Sequence, residues 1–256
     1  MTGGHLRGRR VLVPRAGAWG ERVRADLRAR GADAVVAPLI GSAEPRDAAA
    51  RDRAFAALAA GHYEWLFVTS AATIEQLRTH GVEVPPTTRI AAVGRATARA
   101  VVDAGWEVEF VPAGASSAGA LIAQWCAGRV PADTGRCLVL RSDLAQAVVS
   151  DELEVRGYEV DVCIAYRTVG IDLPADVVDD LRSGVIDTVL LTSLSVGREL
   201  RRQIGELPAS TLVASIGPGT TRDGEALGFA VAHTAHTQSI DALIAEIDAL
   251  VPEESS

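Results

Sequence analysis

Two stretches place small hydroxyl residues where a strand gives way to a helix. In Asp187–Leu200 (D-T-V-L-L-T-S-L-S-V-G-R-E-L) the apolar run Val189–Leu191 reads as a buried strand. Thr192 and Ser193 end it, and Leu194, Val196 and Leu200 resume at helical spacing. Phe67–Leu77 (F-V-T-S-A-A-T-I-E-Q-L) repeats the pattern, with Thr69, Ser70 and Leu77 preceding Thr192, Ser193 and Leu200 by a constant 123 positions. Hydroxyls beside the free N–H groups of a helix start suit an anion such as a carboxylate. In open α/β sheets that is also the edge where ligands bind.

Other residues could join such a site. Val213–Gly224 (V-A-S-I-G-P-G-T-T-R-D-G) follows a strand and opens a helix, but Arg222 stands where a dinucleotide fingerprint needs its third glycine. No acidic partner follows at the expected distance, so a nicotinamide cofactor is not expected. The turn reads either as an anion-holding turn that includes Thr220 or as a tight turn with Thr220 capping the helix. Arg15 ends the first strand, and Arg141 ends a matching strand later; each suits a bidentate carboxylate clamp or a surface ion pair. Tyr166, in A-Y-R-T-V, closes a strand. Its phenol is either a neutral donor or the tip of a half-buried packing residue.

Composition removes several chemistries. All 25 basic residues are arginine, which excludes a lysine Schiff base and a Walker A loop. No G-x-S-x-G elbow exists for a serine hydrolase. His233 and His236 are three apart, on opposite faces of a strand, with no third ligand nearby, so no metal is expected. Cys126, Cys137 and Cys163 are odd in number and scattered, which fits reduced thiols in a cytosol. A net charge of −8 does not recruit nucleic acid or an anionic membrane. No segment approaches the roughly 20 apolar residues of a membrane span. The N-terminal M-T-G-G-H-L-R-G-R-R leads into an apolar run too short for a signal peptide.

The elements that must hold these residues alternate strictly. Strand-like and helix-like runs follow one another from strand 10–14 and helix 19–30 to strand 229–232 and helix 238–250. Between them the pattern includes helix 46–60, strand 107–111, helix 116–127, helix 143–156, strand 158–165 and helix 219–227. That alternation predicts parallel sheets covered by helices. The halves also repeat: Arg15, Leu27 and Gly31 match Arg141, Leu153 and Gly157 at an offset of 126. Gly94 matches Gly217 at 123, and Ser117 matches Ser239 at 122. A duplicated domain, hence two similar α/β lobes with a ligand cleft between them, is the reading. Pro38–Pro45 and Val160–Pro174 have extended character, Gly128–Gly135 reads as a surface loop, and the repeat alone would divide the chain near residue 130.

Taken in order, these blocks resemble the uroporphyrinogen-III synthase (HemD) family over nearly the whole chain. The likeness runs from Arg15 through F-V-T-S-A-A-T-I, A-A-V-G-R-A-T, A-G-W-E-V-E-F-V-P, L-R-S-D, R-G-Y-E-V-D…Y-R-T, L-L-T-S and S-I-G-P-G-T-T. The resemblance implies that the lobes are not the sequence halves. It assigns 1–38 plus 168–256 to one lobe and 44–160 to the other, with linker strands at 39–43 and 161–167. It implies lobes that rotate relative to one another, and a cofactor-free lyase reaction on hydroxymethylbilane, a linear polycarboxylate tetrapyrrole. The reaction closes the macrocycle with inversion of its last ring and loss of water. Substrate contacts are then expected at Arg15, Thr69, Ser70, Arg141, Thr192, Ser193 and Thr220, with Tyr166 as the catalytic proton donor. A monomer with no nucleic-acid or membrane partner is expected. One departure is S-D-L-A-Q-A-V-V, where the family often has a glycine and an arginine after the L-R strand. The competing reading is a non-catalytic, two-lobed ligand-binding or regulatory protein on the same scaffold. It is weakened by the final V-P-E-E-S-S, which offers no DNA-binding appendage.

Overall fold

The computed structural model describes residues 4–114, 116–127 and 135–250. The chain forms two compact units, Met1–Gly41 with Val169–Ser256, and Ser42–Thr168. The divisions fall after residues 41 and 168, not near 130, where the repeat alone would place one. The loop expected at Gly128–Gly135 lies outside the described residues except at its end.

In the first unit, strands β1 (Arg10–Val13), β2 (Asp33–Val36), β8 (Thr188–Leu191), β9 (Leu212–Ser215) and β10 (Val231–Thr234) form one sheet in the order β10-β9-β8-β1-β2. Every neighbouring pair is parallel. Helices α1 (Gly17–Ala29), α7 (Ala175–Ser183), α8 (Leu194–Ile204), α9 (Pro218–Ala226) and α10 (Ile240–Asp248) connect the strands. Alternation along β1 decides which face each residue serves. Val11 and Val13 pack in one core with Leu243, Ile244 and Ile247 of α10, while Leu12 enters the opposite core with Val196 and Leu200 of α8. Thr188–Leu191 is buried throughout, as a central strand covered on both faces requires.

The second sheet holds β3 (Ile40–Ala43), β4 (Trp65–Val68), β5 (Arg89–Ala92), β6 (Arg136–Ser142) and β7 (Glu159–Gly170), ordered β3-β7-β6-β4-β5. Its helices are α2 (Ala48–Ala59), α3 (Ala71–Thr79), α4 (Arg95–Asp103), α5 (Ala118–Ala127) and α6 (Val148–Val155). Leu66 and Val68 of β4 enter the core under α2 and α3, and Trp65 and Phe67 enter the other with Trp125. Trp125 meets the Phe67 ring edge-on at 5.0 Å and the Trp65 ring at 5.2 Å. Such pairs add about 0.5–1.5 kcal/mol beyond the area they bury.

The repeat explains the two orders. Arg15 follows β1 and its match Arg141 sits in β6, so these strands are twins; β4 and β8 are twins through Thr69 and Thr192, and β5 and β9 through Gly94 and Gly217. Helices α1 and α6 both end at left-handed glycines, Gly31 (φ 83°) and Gly157 (φ 87°), before twins β2 and β7. Thus β9-β8-β1-β2 and β5-β4-β6-β7 are one arrangement built twice. Each sheet pairs a strand–helix–strand piece of one half with strands of the other. That exchange is why the compact units are not the sequence halves.

Several boundaries differ from the periodicity. Residues 107–111 do not form a strand; one bridge, Ala91 to Phe110, stands where the other sheet has β10. Pro112 follows at once and has no N–H to extend a ladder. Helix α2 begins at Ala48 because Asp47 caps it, accepting the Ala50 N–H at 2.8 Å. Helix α6 begins at Val148 rather than 143, since Asp143–Ala147 is held as a loop by side-chain bonds described below. Pro38–Pro45 contains a true strand, and Glu159–Gly170 is one continuous strand of 12 residues. The Ile171 N–H donates to the Leu39 carbonyl at 2.9 Å just beyond these two strands.

Candidate functional site

The two serine turns follow twin strands, β4 in the second unit and β8 in the first. Ser70 is the N-cap of α3, its Oγ accepting the Thr73 N–H at 3.4 Å, and its twin Ser193 caps α8, accepting the Val196 N–H at 3.3 Å. Both caps have extended backbone, which turns the chain from strand to helix with one polar group already satisfied. Ser70, however, has a second partner: its Oγ lies 3.2 Å from the Tyr166 Oη. Either hydroxyl can donate in this pair, because an Oγ that accepts one N–H keeps its own hydrogen and a second lone pair.

Tyr166 sits near the end of β7 and is 8% exposed, its ring in the core with Leu140 and Ile74. It reaches this place through an irregularity in the β6–β7 pairing: Arg141 faces Ile164, but Ser142 faces Tyr166. The Asp143 N–H donates to the Tyr166 carbonyl at 3.2 Å, and Asp143 Oδ1 accepts the Thr168 N–H at 2.9 Å. The Asp143–Ala147 loop therefore clasps the end of β7. Thr69 is beside it, its N–H and Oγ1 both 3.4 Å from the Leu140 carbonyl. Arg141 Nη1 donates to the Ala145 carbonyl at 2.8 Å, and its buried Nε has no hydrogen-bond partner. Thus Thr69, Ser70, Arg141 and Tyr166 come together at one edge of the second unit's sheet.

The other four expected residues share the equivalent edge of the first unit. Arg15 follows β1, is exposed, and lies over the Trp19 ring at 5.5 Å with no carboxylate partner among the described residues. Thr192 follows β8 with its Oγ1 buried and unpartnered, unlike its twin Thr69. Thr220 does not cap α9. Pro218 takes the first helical position, Gly217 is the N-cap, and Thr220 lies in the first turn, 9% exposed. The fixed φ of proline suits that first position. Two glycines keep these turns tight: a Cβ on Gly94 would meet Ser116 Cβ at 2.5 Å, and one on its twin Gly217 would meet Gln238 Cγ at 3.1 Å.

Other reactive groups serve structure. Cys137 and Cys163 are buried, and burial pushes both thiols up to about 12, far from the thiolate range of a nucleophile. His233 and His236 are not divided between strand faces, because β10 ends at Thr234; His233 Nε2 and His236 Nδ1 both bond Glu246 Oε2, at 2.9 and 2.8 Å. Partial burial pushes Glu246 up, but hydrogen bonds from His236 and His233 outweigh it and hold the carboxyl at about 2. Among the described residues no group of three or more histidine, cysteine or carboxylate side chains is arranged to hold a metal ion. Nor is any described helix long and apolar enough to cross a membrane.

The family model for uroporphyrinogen-III synthase HemD matches residues 21–245, most of the chain. The chain belongs to the HemD family. Its fold is also that of solved members. A mutant uroporphyrinogen III synthase from Thermus thermophilus aligns with a TM-score of 0.59 at 17% identity, covering 93% of this chain and 97% of that one. Uroporphyrinogen-III synthetase from Helicobacter pylori aligns with a TM-score of 0.61 at 13% identity over the same shares. No curated protein sequence matches the chain significantly. In this HemD chain Arg167 directly follows Tyr166 in the Y-R-T block.

Proposed function

We propose that this HemD protein is a uroporphyrinogen-III synthase, closing hydroxymethylbilane to uroporphyrinogen III with inversion of the last ring and loss of water. The observation that carries the reading is the Tyr166–Ser70 pair at the start of α3, in a chain of this family. The substrate carries many carboxylates and little else that a protein can grip by charge. The turns at Thr69–Ser70, Thr192–Ser193 and Thr220 offer N–H groups, hydroxyls and helix dipoles, and Arg15 offers a guanidinium with no carboxylate partner among the described residues. In this reading residues 39–43 and 161–167 act as the connection between a lobe of 1–38 plus 168–256 and a lobe of 44–160.

Tyr166 donates its proton as the terminal C–O bond breaks, so that the hydroxyl leaves as water. The cation left on the pyrrolic carbon is stabilised by its ring nitrogen. Ser70 donates to the resulting phenolate, and the phenol recovers a proton when the macrocycle loses one after closure. General acids of this kind contribute typically 10²–10⁴-fold. The remaining demand is to hold a flexible chain so that one ring is attacked at its substituted carbon, an entropic task met by fixed contacts. The test is to supply hydroxymethylbilane to the purified protein and separate the oxidised isomers. Type III is expected; type I alone, at the spontaneous rate, would reject the reading.

A further inference from the structure

A cavity of about 460 Å³ lies within the second unit beside the end of β7, bordered by the start of α2 and by Asp143. It is within the range of small-molecule sites, roughly 300–1,000 Å³. Its walls mix Pro45, Val162 and Ile164 with Arg46, Arg51 and Arg167. Val162 is 41% exposed, unusual for a valine inside a strand of a covered sheet.

The charges around it are unequally occupied. The lining carboxylates each accept a backbone N–H: Asp47 from Ala50 at 2.8 Å and Asp143 from Thr168 at 2.9 Å. Arg51 has all three nitrogens on carboxylates, its Nε and Nη2 on Asp52 at 2.9 and 2.8 Å and its Nη1 on Glu44. Among the described residues Arg167 spends its Nε alone, on the Glu44 carbonyl at 2.9 Å. Arg46 is exposed and has no carboxylate partner among the described residues. The unspent donors are therefore two guanidinium groups facing a partly apolar wall. That combination suits a flat, apolar ring carrying carboxylate arms.

We propose that this cavity takes one carboxylated pyrrole ring of the substrate, with Arg46 and Arg167 gripping its acetate or propionate arm. The proposal rests on the synthase reading for the ring's identity. It gives the second unit a carboxylate clamp in addition to Arg141, which spends Nη1 on the Ala145 carbonyl. It also ties ring binding to Tyr166, since Asp143 and Arg167 border the cavity and both join the Tyr166 backbone.

The experiment uses the full chain with labelled methyl groups and a monopyrrole bearing one acetate and one propionate. The Val162 and Ile164 methyl resonances should shift on titration. Arg46→Gln and Arg167→Gln should each weaken that response roughly tenfold, and the double variant roughly a hundredfold, as lost charge-assisted hydrogen bonds imply. Arg167→Lys should recover part of it, and an unchanged amide spectrum would establish folding. The dimethyl ester of the same pyrrole should leave the methyls unmoved. Silent methyls in the parent, an equal response in the double variant, or an equal response to the ester would each overturn the proposal. Conversion of hydroxymethylbilane by the parent is measured alongside. A chain that binds the diacid through these arginines but forms no type III ring keeps the site and loses the synthase reading. The opposite result keeps the synthase reading and removes the site.

Discussion

The Tyr166 phenol and the Ser70 hydroxyl lie 3.2 Å apart, joining the end of β7 to the residue that caps α3. A packing tyrosine needs only its ring buried, but here the hydroxyl is also met by a serine that already caps a helix. Ser70→Ala removes both functions. It should cost about 1 kcal/mol of stability through the lost cap. Turnover should also fall, by more than in a Thr73→Val control of similar stability loss. Thermal melting and isomer assays on the two variants check this; equal turnover losses would mean Ser70 is only a cap.

The twin turn predicts a different effect. Ser193→Asp keeps a good N-cap but places a negative charge where substrate carboxylates are expected. Folding should be unchanged and KM should rise about tenfold, an effect that weakens with added salt. An unchanged KM in a folded variant would remove this turn from the substrate.

The Gly94 turn is closed by Ser116. Gly94→Ala should destabilise by roughly 1–3 kcal/mol, because the new methyl forces Ser116 and its backbone to shift. Gly94→Ala with Ser116→Gly should recover most of the loss. Chemical denaturation of both variants decides this.

Glu246 gives a pH prediction. Its carboxyl is held at about 2 in the folded protein, against an ordinary 4.5. A depressed folded value contributes stability that is present above about pH 4.5 and is lost as pH falls through 2. Glu246 is 24% exposed, so the contribution is on the order of 1 kcal/mol or less. Glu246→Gln should therefore lower Tm at pH 6 and match the parent near pH 2. A Tm difference that persists unchanged at low pH would contradict this.

Much of the scaffold was legible in the chain. Period-2 and period-3.6 patterns marked most elements, and the constant offsets from Arg15 to Arg141 and from Thr69 to Thr192 revealed the duplication. What those patterns do not encode is partner choice. A strand such as β1, apolar on both faces, can insert beside β8 or β4 equally well on hydrophobicity alone, so the exchange of strands was visible only through family resemblance. The caps at Ser70 and Ser193 were readable from residue type and position. The Tyr166–Ser70 bond was not, since it depends on a pairing irregularity between β6 and β7 that no local sequence signal announces. The open guanidinium donors of Arg46 and Arg167 are likewise visible only in the packing.

The most direct measurement is the isomer ratio formed from hydroxymethylbilane by the parent protein and by Tyr166→Phe, separated chromatographically after oxidation, with circular dichroism to verify folding. The variant keeps the buried ring and loses the proton and the bond to Ser70. The account predicts type III from the parent. It predicts turnover lower by roughly 10²–10⁴-fold in the variant, with a larger type I fraction as slow catalysis loses to spontaneous closure. A folded Tyr166→Phe protein forming type III at the parent rate would contradict it.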